Sequence, residues 1–138
     1  MIKEDCIFCK LANGILDTNT VYEDGDFRVI LDLAPAAQGH ALILPKAHFA
    51  NAFEADGEIL GKAMRLAART GKALKESFGC DGINILQNNG EAAGQTVFHL
   101  HIHVIPRWEN DNVQFEYEKK SFADEEMKAT ADRINKCM

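Results

Sequence analysis

Histidine alternates with large aliphatic residues in the stretch from Phe98 to Pro106. A period of two is typical of a β-strand that buries one face, so the pattern predicts a strand over 97–105 with three imidazoles on one face. These are His99, His101 and His103; Leu100, Ile102 and Val104 point into a core. Histidine titrates near neutrality, and its neutral ring is a nucleophile at pH 7. The stretch therefore predicts a site that performs chemistry.

A polar loop that contains glycine, 88–94, directly precedes the histidines. Gln95 and Thr96 can donate hydrogen bonds to phosphate oxygens, and Gly90 and Gly94 allow the backbone to approach a ligand closely. The loop therefore predicts a phosphate-binding site beside the imidazoles.

Two cysteines near the start, Cys6 and Cys9, have C-x-x-C spacing, and His48 and His99 complete a set of two cysteines and two histidines. Tetrahedral zinc favours such ligands. Four protein ligands leave no open coordination position, so the set predicts a structural zinc ion that tethers the N-terminal segment. The alternative is a pair of buried cysteines without metal and a surface His48. Cys80 and Cys137 are interpreted as packing residues.

The elements that must position these residues form an α+β pattern. A hairpin is predicted where Asp24, Gly25 and Asp26 separate two strand-like runs. The four strands predicted before the histidine strand are Thr20 to Glu23, Phe27 to Leu33, His40 to Leu44 and Ile83 to Leu86. Short connections favour an antiparallel sheet of about five strands with helices mainly on one side.

One long helix is predicted from Gly57 to Phe78, with Gly79 as its left-handed cap. Short terminal helices complete the pattern. Asp5 is the predicted cap of the first, and Ser121 and Asp124 form a capping-box signature before the last.

The length and the net charge of the chain restrict the classes of function that it can have. A chain of 138 residues predicts a single domain that spans 1–138. The net charge of −6 argues against a broad surface for nucleic acid. No run approaches the length of a membrane span, and the charged start lacks a secretory apolar core, so we expect a cytoplasmic protein without a membrane partner.

The run HLHIHVIP, preceded by QNNGEAAGQTVF, closely resembles the histidine triad (HIT) nucleotide-binding family, as do CIFCK and FRVILDLAPAAQGHALILPKAH. The family that has proline between two histidines is disfavoured, because Leu100 separates His99 from His101. The resemblance implies a HIT-like fold and a hydrolase or transferase that acts at the α-phosphorus of purine nucleotidyl compounds. It also implies a homodimer.

The resemblance implies a role for each site residue. His101 attacks phosphorus and is transiently nucleotidylated, His103 contacts phosphate oxygens, and His40 supports the nucleophile by holding its proton. Asp32 accepts hydrogen bonds from the ribose hydroxyls, and Asn88 matches a family asparagine. The implied apolar walls around the base are Ile7, Phe8, Leu11 and Leu33. Similar bacterial members bind zinc through the residues that match Cys6, Cys9, His48 and His99.

Two other hypotheses stay open from the residues alone. The three histidines can form a catalytic zinc site that generates hydroxide, which leaves both cysteines unexplained. Alternatively, the protein is a nucleotide-binding interaction module with weak or vestigial hydrolysis. The sequence does not identify the leaving group, because phosphoramidates, dinucleoside polyphosphates and aminoacyl adenylates present the same α-phosphate.

Overall fold

A computed structural model describes residues 1–138, and its centre is a five-stranded antiparallel sheet. The strand order is β1-β2-β3-β5-β4. The strands are β1 Thr20–Glu23, β2 Phe27–Leu31, β3 Ala41–Pro45, β4 Gly82–Leu86 and β5 Ile102–Arg107. The predicted hairpin joins β1 to β2, and the Asp24 carboxylate fixes its turn by accepting the N–H groups of Asp26 and Phe27. The α+β class and the number of strands are confirmed.

The long helix α2, Gly57–Phe78, has the predicted bounds. The Asp56 side chain accepts the Ile59 N–H at its start, and Gly79 ends it with a positive φ of 63°. Its apolar stripe packs on one face of the sheet, where Ala63, Leu66, Ala67 and Leu74 meet Val29, Ile43, Ile102 and Val104. This packing fixes which side chains of β5 are left on the opposite face.

The short helix α1, Ile7–Ala12, covers part of the opposite face, so the helices pack mainly but not entirely on one side. Leu11 and Ala12 pack there against Ile30, Leu42 and Leu44. The cap is Cys6 rather than Asp5, because the Cys6 sulfur accepts the Cys9 N–H.

The C-terminal helix α3, Asp124–Asn135, is present but has no side-chain cap, so the capping-box prediction at Ser121 is wrong. Three acidic residues occupy its first turn, where the helix dipole favours negative charge. All its residues are exposed. No helix is both long enough and apolar enough to span a membrane.

The histidine strand is shorter than predicted and begins at Ile102 instead of Val97. The preceding segment bonds outside the ladder, because Leu100 N–H donates to the Phe49 carbonyl at 2.7 Å. Likewise β2 ends at Leu31 and not at Leu33, since the Asp32 side chain accepts the Ala34 N–H and turns the chain. Both strands thus give way to irregular segments next to the histidines.

Candidate functional site

A cleft of about 560 Å³ opens on the face of the sheet opposite α2. Side chains from α1, from the ends of β2 and β3, from β4 and β5 and from the loop before the histidines line it. His101, His103 and His40 all lie in its wall. The cleft therefore brings the three predicted catalytic residues together.

His101 has a defined orientation because its Nδ1 donates a hydrogen bond to the carbonyl of His99 at 2.7 Å. A carbonyl can only accept, so the ring proton resides on Nδ1. In the neutral ring Nε2 then carries a free lone pair. The Phe8 ring packs edge-on at 5.0 Å between centroids and restricts the imidazole further. His101 is thus held in one orientation with an unprotonated Nε2, which is what a nucleophile requires.

His40 contacts His103 rather than His101, which corrects its predicted role. Its Nδ1 accepts the Ala36 N–H at 3.0 Å, so its proton is on Nε2. That Nε2–H donates to His103 Nδ1 at 2.9 Å and leaves the His103 proton on Nε2. The Nδ1 proton of His101 is held by the His99 carbonyl, whereas His40 fixes the tautomer of His103.

Burial keeps these rings neutral near pH 7. Desolvation lowers the pKa of His101 and that of His40, with a partial opposing effect of the Asp32 charge. The pKa of His103 falls to about 4, chiefly through burial and then through repulsion by the His101 and His40 rings. Neutral imidazoles are what nucleophilic attack and hydrogen bonding require.

The structure brings most of the predicted nucleotide-binding residues to the cleft wall. Phe8, Leu11, Asp32, Leu33, Asn88 and Thr96 line it. Asp32 Oδ2 lies 3.4 Å from His40 Nε2, close to the imidazoles. Asn88 is the lining asparagine, while Asn89 is engaged by the Ala52 N–H and by Gln87.

Gln95 does not fit its predicted role as a side-chain donor to phosphate. It is buried, its amide nitrogen donates to the carbonyls of Ala50 and Val97, and its amide oxygen accepts the Gly90 N–H. Both N–H groups are therefore used, and Gln95 holds the loop in shape. The sequence gives no signal for this distinction, because a buried and an exposed glutamine in a polar loop look alike.

The cysteine and histidine cluster is assembled as predicted. Cys6, Cys9, His48 and His99 offer four ligand atoms that all lie within 4.8 Å of one another. His99 Nδ1 is 3.5 Å from each sulfur, and His48 Nδ1 is 3.4 Å from the Cys9 sulfur. Zinc with ordinary bond lengths in a tetrahedron separates sulfur from nitrogen by about 3.5 Å. The His99 Nε2–H donates to the Pro45 carbonyl, which leaves Nδ1 free for a metal.

A catalytic site built from three histidines does not fit this geometry. His99 belongs to the cysteine cluster, whereas His103 lies in a separate group with Asp32 and His40. The latter group is a poor metal site, because His40 Nε2 carries the proton that it donates to His103.

Sequence reasoning missed the cleft wall at the other edge of the sheet. Leu86, Ile105, Val113 and Phe115 line it. Ile105 continues the alternation of His101 and His103 and was detectable from that period. Val113 and Phe115 carried no signal, because they follow the last strand in a segment without periodicity.

Comparison with known proteins agrees with the fold. A family model described as the HIT domain matches residues 13–110. The chain belongs to the HIT family. Protein hit of Bacillus subtilis is 40% identical to this HIT protein over 105 residues, 76% of this chain and 72% of the relative. The adenosine 5′-monophosphoramidase of Saccharomyces cerevisiae is 42% identical over 102 residues, 74% of this chain and 62% of the relative.

Solved structures show the same likeness. A HIT family protein from Bacillus anthracis has a TM-score of 0.91 at 36% identity, and the match covers 98% of both chains. A zinc-bound histidine triad family protein from Mycobacterium smegmatis has a TM-score of 0.77 at 32% identity and covers 97% of this chain and 98% of its own. The HIT fold of this chain is therefore established.

Proposed function

We propose that this HIT protein hydrolyses purine nucleotidyl conjugates at the α-phosphorus through a nucleotidyl intermediate on Nε2 of His101. The observation that carries the proposal is the bond from His101 Nδ1 to the His99 carbonyl, which leaves Nε2 unprotonated on a side chain that lines the cleft. The yeast relative, an adenosine 5′-monophosphoramidase, supports the same reaction class.

In the first step His101 Nε2 forms a bond to phosphorus while the bond from phosphorus to the leaving group breaks. The His101 ring becomes positively charged, and its Nδ1–H stays bonded to the His99 carbonyl, which stabilises that charge. The leaving group departs with the bonding electrons and takes up a proton. His103 Nε2–H is the donor oriented for this contact or for a phosphate oxygen.

In the second step water attacks phosphorus and the phosphorus–nitrogen bond breaks, with its electrons returning to His101 Nε2. The proton that the water loses replaces the one taken up by the leaving group, and the nucleoside monophosphate is released with neutral His101. Thr96 and Asn88, both in the cleft wall, supply side-chain donors for the non-bridging oxygens. Both proposed steps, transfer of the nucleotidyl group to His101 and its transfer to water, therefore take place at the same site, as in covalent catalysis.

The nucleoside is proposed to lie between α1 and the turn after β2. Phe8, Leu11 and Leu33 provide apolar surface for a base, and the Asp32 carboxylate suits the ribose diol because it only accepts hydrogen bonds. The assembly is proposed to be a homodimer, as the resemblance implies.

The Cys6, Cys9, His48 and His99 cluster is proposed to bind one structural zinc ion. The sulfur–nitrogen spacing supports this, and the zinc-bound Mycobacterium smegmatis structure is a second support. Bound there, the metal would cross-link α1 to the segments after β3 and before β5. It takes no part in the reaction, since four protein ligands close its coordination sphere.

The experiment is an alkaline rapid quench of adenosine phosphoramidate with the protein, followed by mass spectrometry of its peptides. We expect one added nucleotidyl group on the peptide that contains His101, and its disappearance after acid treatment, because phosphorus–nitrogen bonds are acid-labile. His101→Ala should bind nucleotide but form no adduct and lose turnover by more than about a thousandfold.

Undiminished turnover in His101→Ala would contradict the mechanism. An interaction module with vestigial chemistry would instead bind nucleotide tightly with negligible turnover in the wild-type protein.

A further inference from the structure

The segment after β5 returns to the cleft and places Val113 and Phe115 in its wall. Both residues lie beyond the part of the chain that the HIT domain model matches, residues 13–110. This part of the wall is therefore specified by features of this chain outside the matched domain.

Arg107, the last residue of β5, holds the segment. Its Nε and Nη2 donate to the two carboxylate oxygens of Asp111, each at 2.8 Å, which is the bidentate geometry that gives arginine its specificity. Nη2 also donates to the Val113 carbonyl, and Nη1 donates to Asn84 Oδ1 on β4 at 2.7 Å. The Asp111 carboxylate in turn accepts the Trp108 N–H at 3.0 Å. One guanidinium thus fastens the segment to two strands.

Phe115 is positioned by the same group, since the Arg107 guanidinium carbon lies 5.6 Å from the centre of its ring. Phe115 is 48% exposed, so its ring presents a free apolar surface. A flexible tail would not hold an aromatic ring at a fixed place, whereas a segment fixed at Asp111 and Val113 does.

The order of the strands separates the two ends of the cleft. α1 contacts β2 and β3, where the nucleoside is proposed to lie. His103 is on β5, and Leu86 of β4 pairs directly with it at the far edge of the sheet. Val113 and Phe115 line the same cleft and are tied to β5 and β4 through Arg107. With the nucleoside at the α1 end as proposed, a substituent that leaves phosphorus in the opposite direction would face these residues.

The charge of the cleft wall limits what that substituent can be. No lysine or arginine lines the cleft, and the one lining carboxylate is Asp32. The nearby Arg107 has four hydrogen bonds within the protein. A polyphosphate leaving group would find no cation here, whereas a neutral apolar group would gain contact with Phe115.

We infer that Arg107 and Asp111 are positioning residues that hold Phe115 as the leaving-group wall, and that this wall selects nucleotide conjugates with a neutral, aromatic or aliphatic leaving group over polyphosphates. The inference deepens the proposed function and rests on it.

The test compares two substrates that share the nucleoside and the phosphorus–nitrogen bond: adenosine phosphoramidate, whose leaving group is ammonia, and the adenosine phosphoramidate of phenethylamine. In Phe115→Ala we expect kcat/KM for the phenethylamine compound to fall about tenfold and that for the ammonia compound to stay within about twofold. Tyr117→Ala is the matched control, because Tyr117 is 83% exposed in the same segment and does not line the cleft.

Arg107→Lys and Asp111→Asn test the positioning. Each retains size and polarity but loses the bidentate pair, so both should reproduce the loss of selectivity seen in Phe115→Ala. Thermal unfolding reports whether a variant is folded, and a general loss of structure would lower kcat/KM for both substrates equally. Diadenosine tetraphosphate is a third substrate, which wild-type protein should cleave more slowly than the phenethylamine compound.

An unchanged ratio of the two kcat/KM values in Phe115→Ala would overturn the inference, as would faster cleavage of diadenosine tetraphosphate by wild-type protein. If wild-type protein cleaves none of the three, the proposed function fails. Calorimetric titration of the two intact phosphoramidates then tests the inference through their affinities. In Phe115→Ala we expect weaker binding of the phenethylamine compound than in wild-type protein, with little change for the ammonia compound. An unchanged ratio of the two affinities would count against the inference.

Discussion

His40 and His103 hold a single proton between ring nitrogens 2.9 Å apart, beside the Asp32 carboxylate. Adding a further proton to this pair is unfavourable, because it would have to go on His103 Nδ1 or on His40 Nδ1, and each of these nitrogens already accepts a hydrogen bond. The lowered pKa values of both rings agree with this geometry. The pair therefore contributes to stability in a manner that depends on pH.

We predict that the free energy of unfolding falls as the pH falls from about 6.5 toward 4, since the unfolded histidines bind protons at about 6.5 and folded His103 does so only near about 4. The contribution is fully present above pH ~6.5. His103→Gln removes one of these protons, so its stability should decline less steeply, by at most about 1.4 kcal/mol per pH unit. Urea unfolding of both metal-loaded proteins across this range measures the difference, and parallel curves would contradict it.

At the residue scale, the sequence predicted which histidines share the site but not the hydrogen bonds that orient them. The alternation of His99, His101 and His103 predicted a shared face, which the packing of Ile102 and Val104 on the other face explains. It could not predict that the His99 carbonyl would orient His101. Main-chain acceptors have no side-chain identity, so a hydrogen bond to a carbonyl is not encoded in any residue type.

At the scale of elements, the loop between β2 and β3 depends on Gly39. Its φ is +92°, and a Cβ built there would lie 2.8 Å from Leu74 Cδ2 of α2. The position thus requires glycine for both its backbone conformation and its packing. His40 follows directly, so this turn also sets the position of the ring that fixes His103.

Gly39→Ala should lower the free energy of unfolding by about 1–3 kcal/mol, because it adds backbone strain and crowds α2. Gly57→Ala is the control: Gly57 begins α2, and its added methyl group would meet nothing within 4 Å. That variant should be unchanged or more stable by about 0.5–1 kcal/mol. Urea unfolding compares the two, and equal stability would contradict the argument for Gly39.

Long elements were easier to predict than short ones. The bounds of α2 followed from its repeated apolar stripe and its left-handed cap, which are local signals. The predicted start of the histidine strand was wrong because the Leu100 N–H donates to the Phe49 carbonyl, a contact between distant parts of the chain. Tertiary contacts of this kind override a local alternation of residue types.

At the scale of the whole molecule, the Cys6, Cys9, His48 and His99 cluster joins three separate segments of the chain. We predict one zinc ion per chain by elemental analysis. Cys9→Ser should reduce the metal content and lower the Tm by about 10 °C or more, because the binding energy of a structural metal is part of the folding energy. Cys137→Ser, at an exposed cysteine, is the control and should keep both values. Metal-free wild-type protein of full stability would exclude the site.

His99 belongs both to the cluster of cysteines and histidines and to the group of residues that orients His101. Its ring faces the sulfurs of Cys6 and Cys9, and its carbonyl accepts the proton of His101. If the His99 peptide unit shifted after loss of the zinc ion, the hydrogen bond that fixes the tautomer of His101 would be disturbed, although His101 is not a ligand of the ion. A chelator would then act as a noncompetitive inhibitor that lowers kcat while the nucleotide still binds, and zinc scarcity would lower the catalytic rate of this protein.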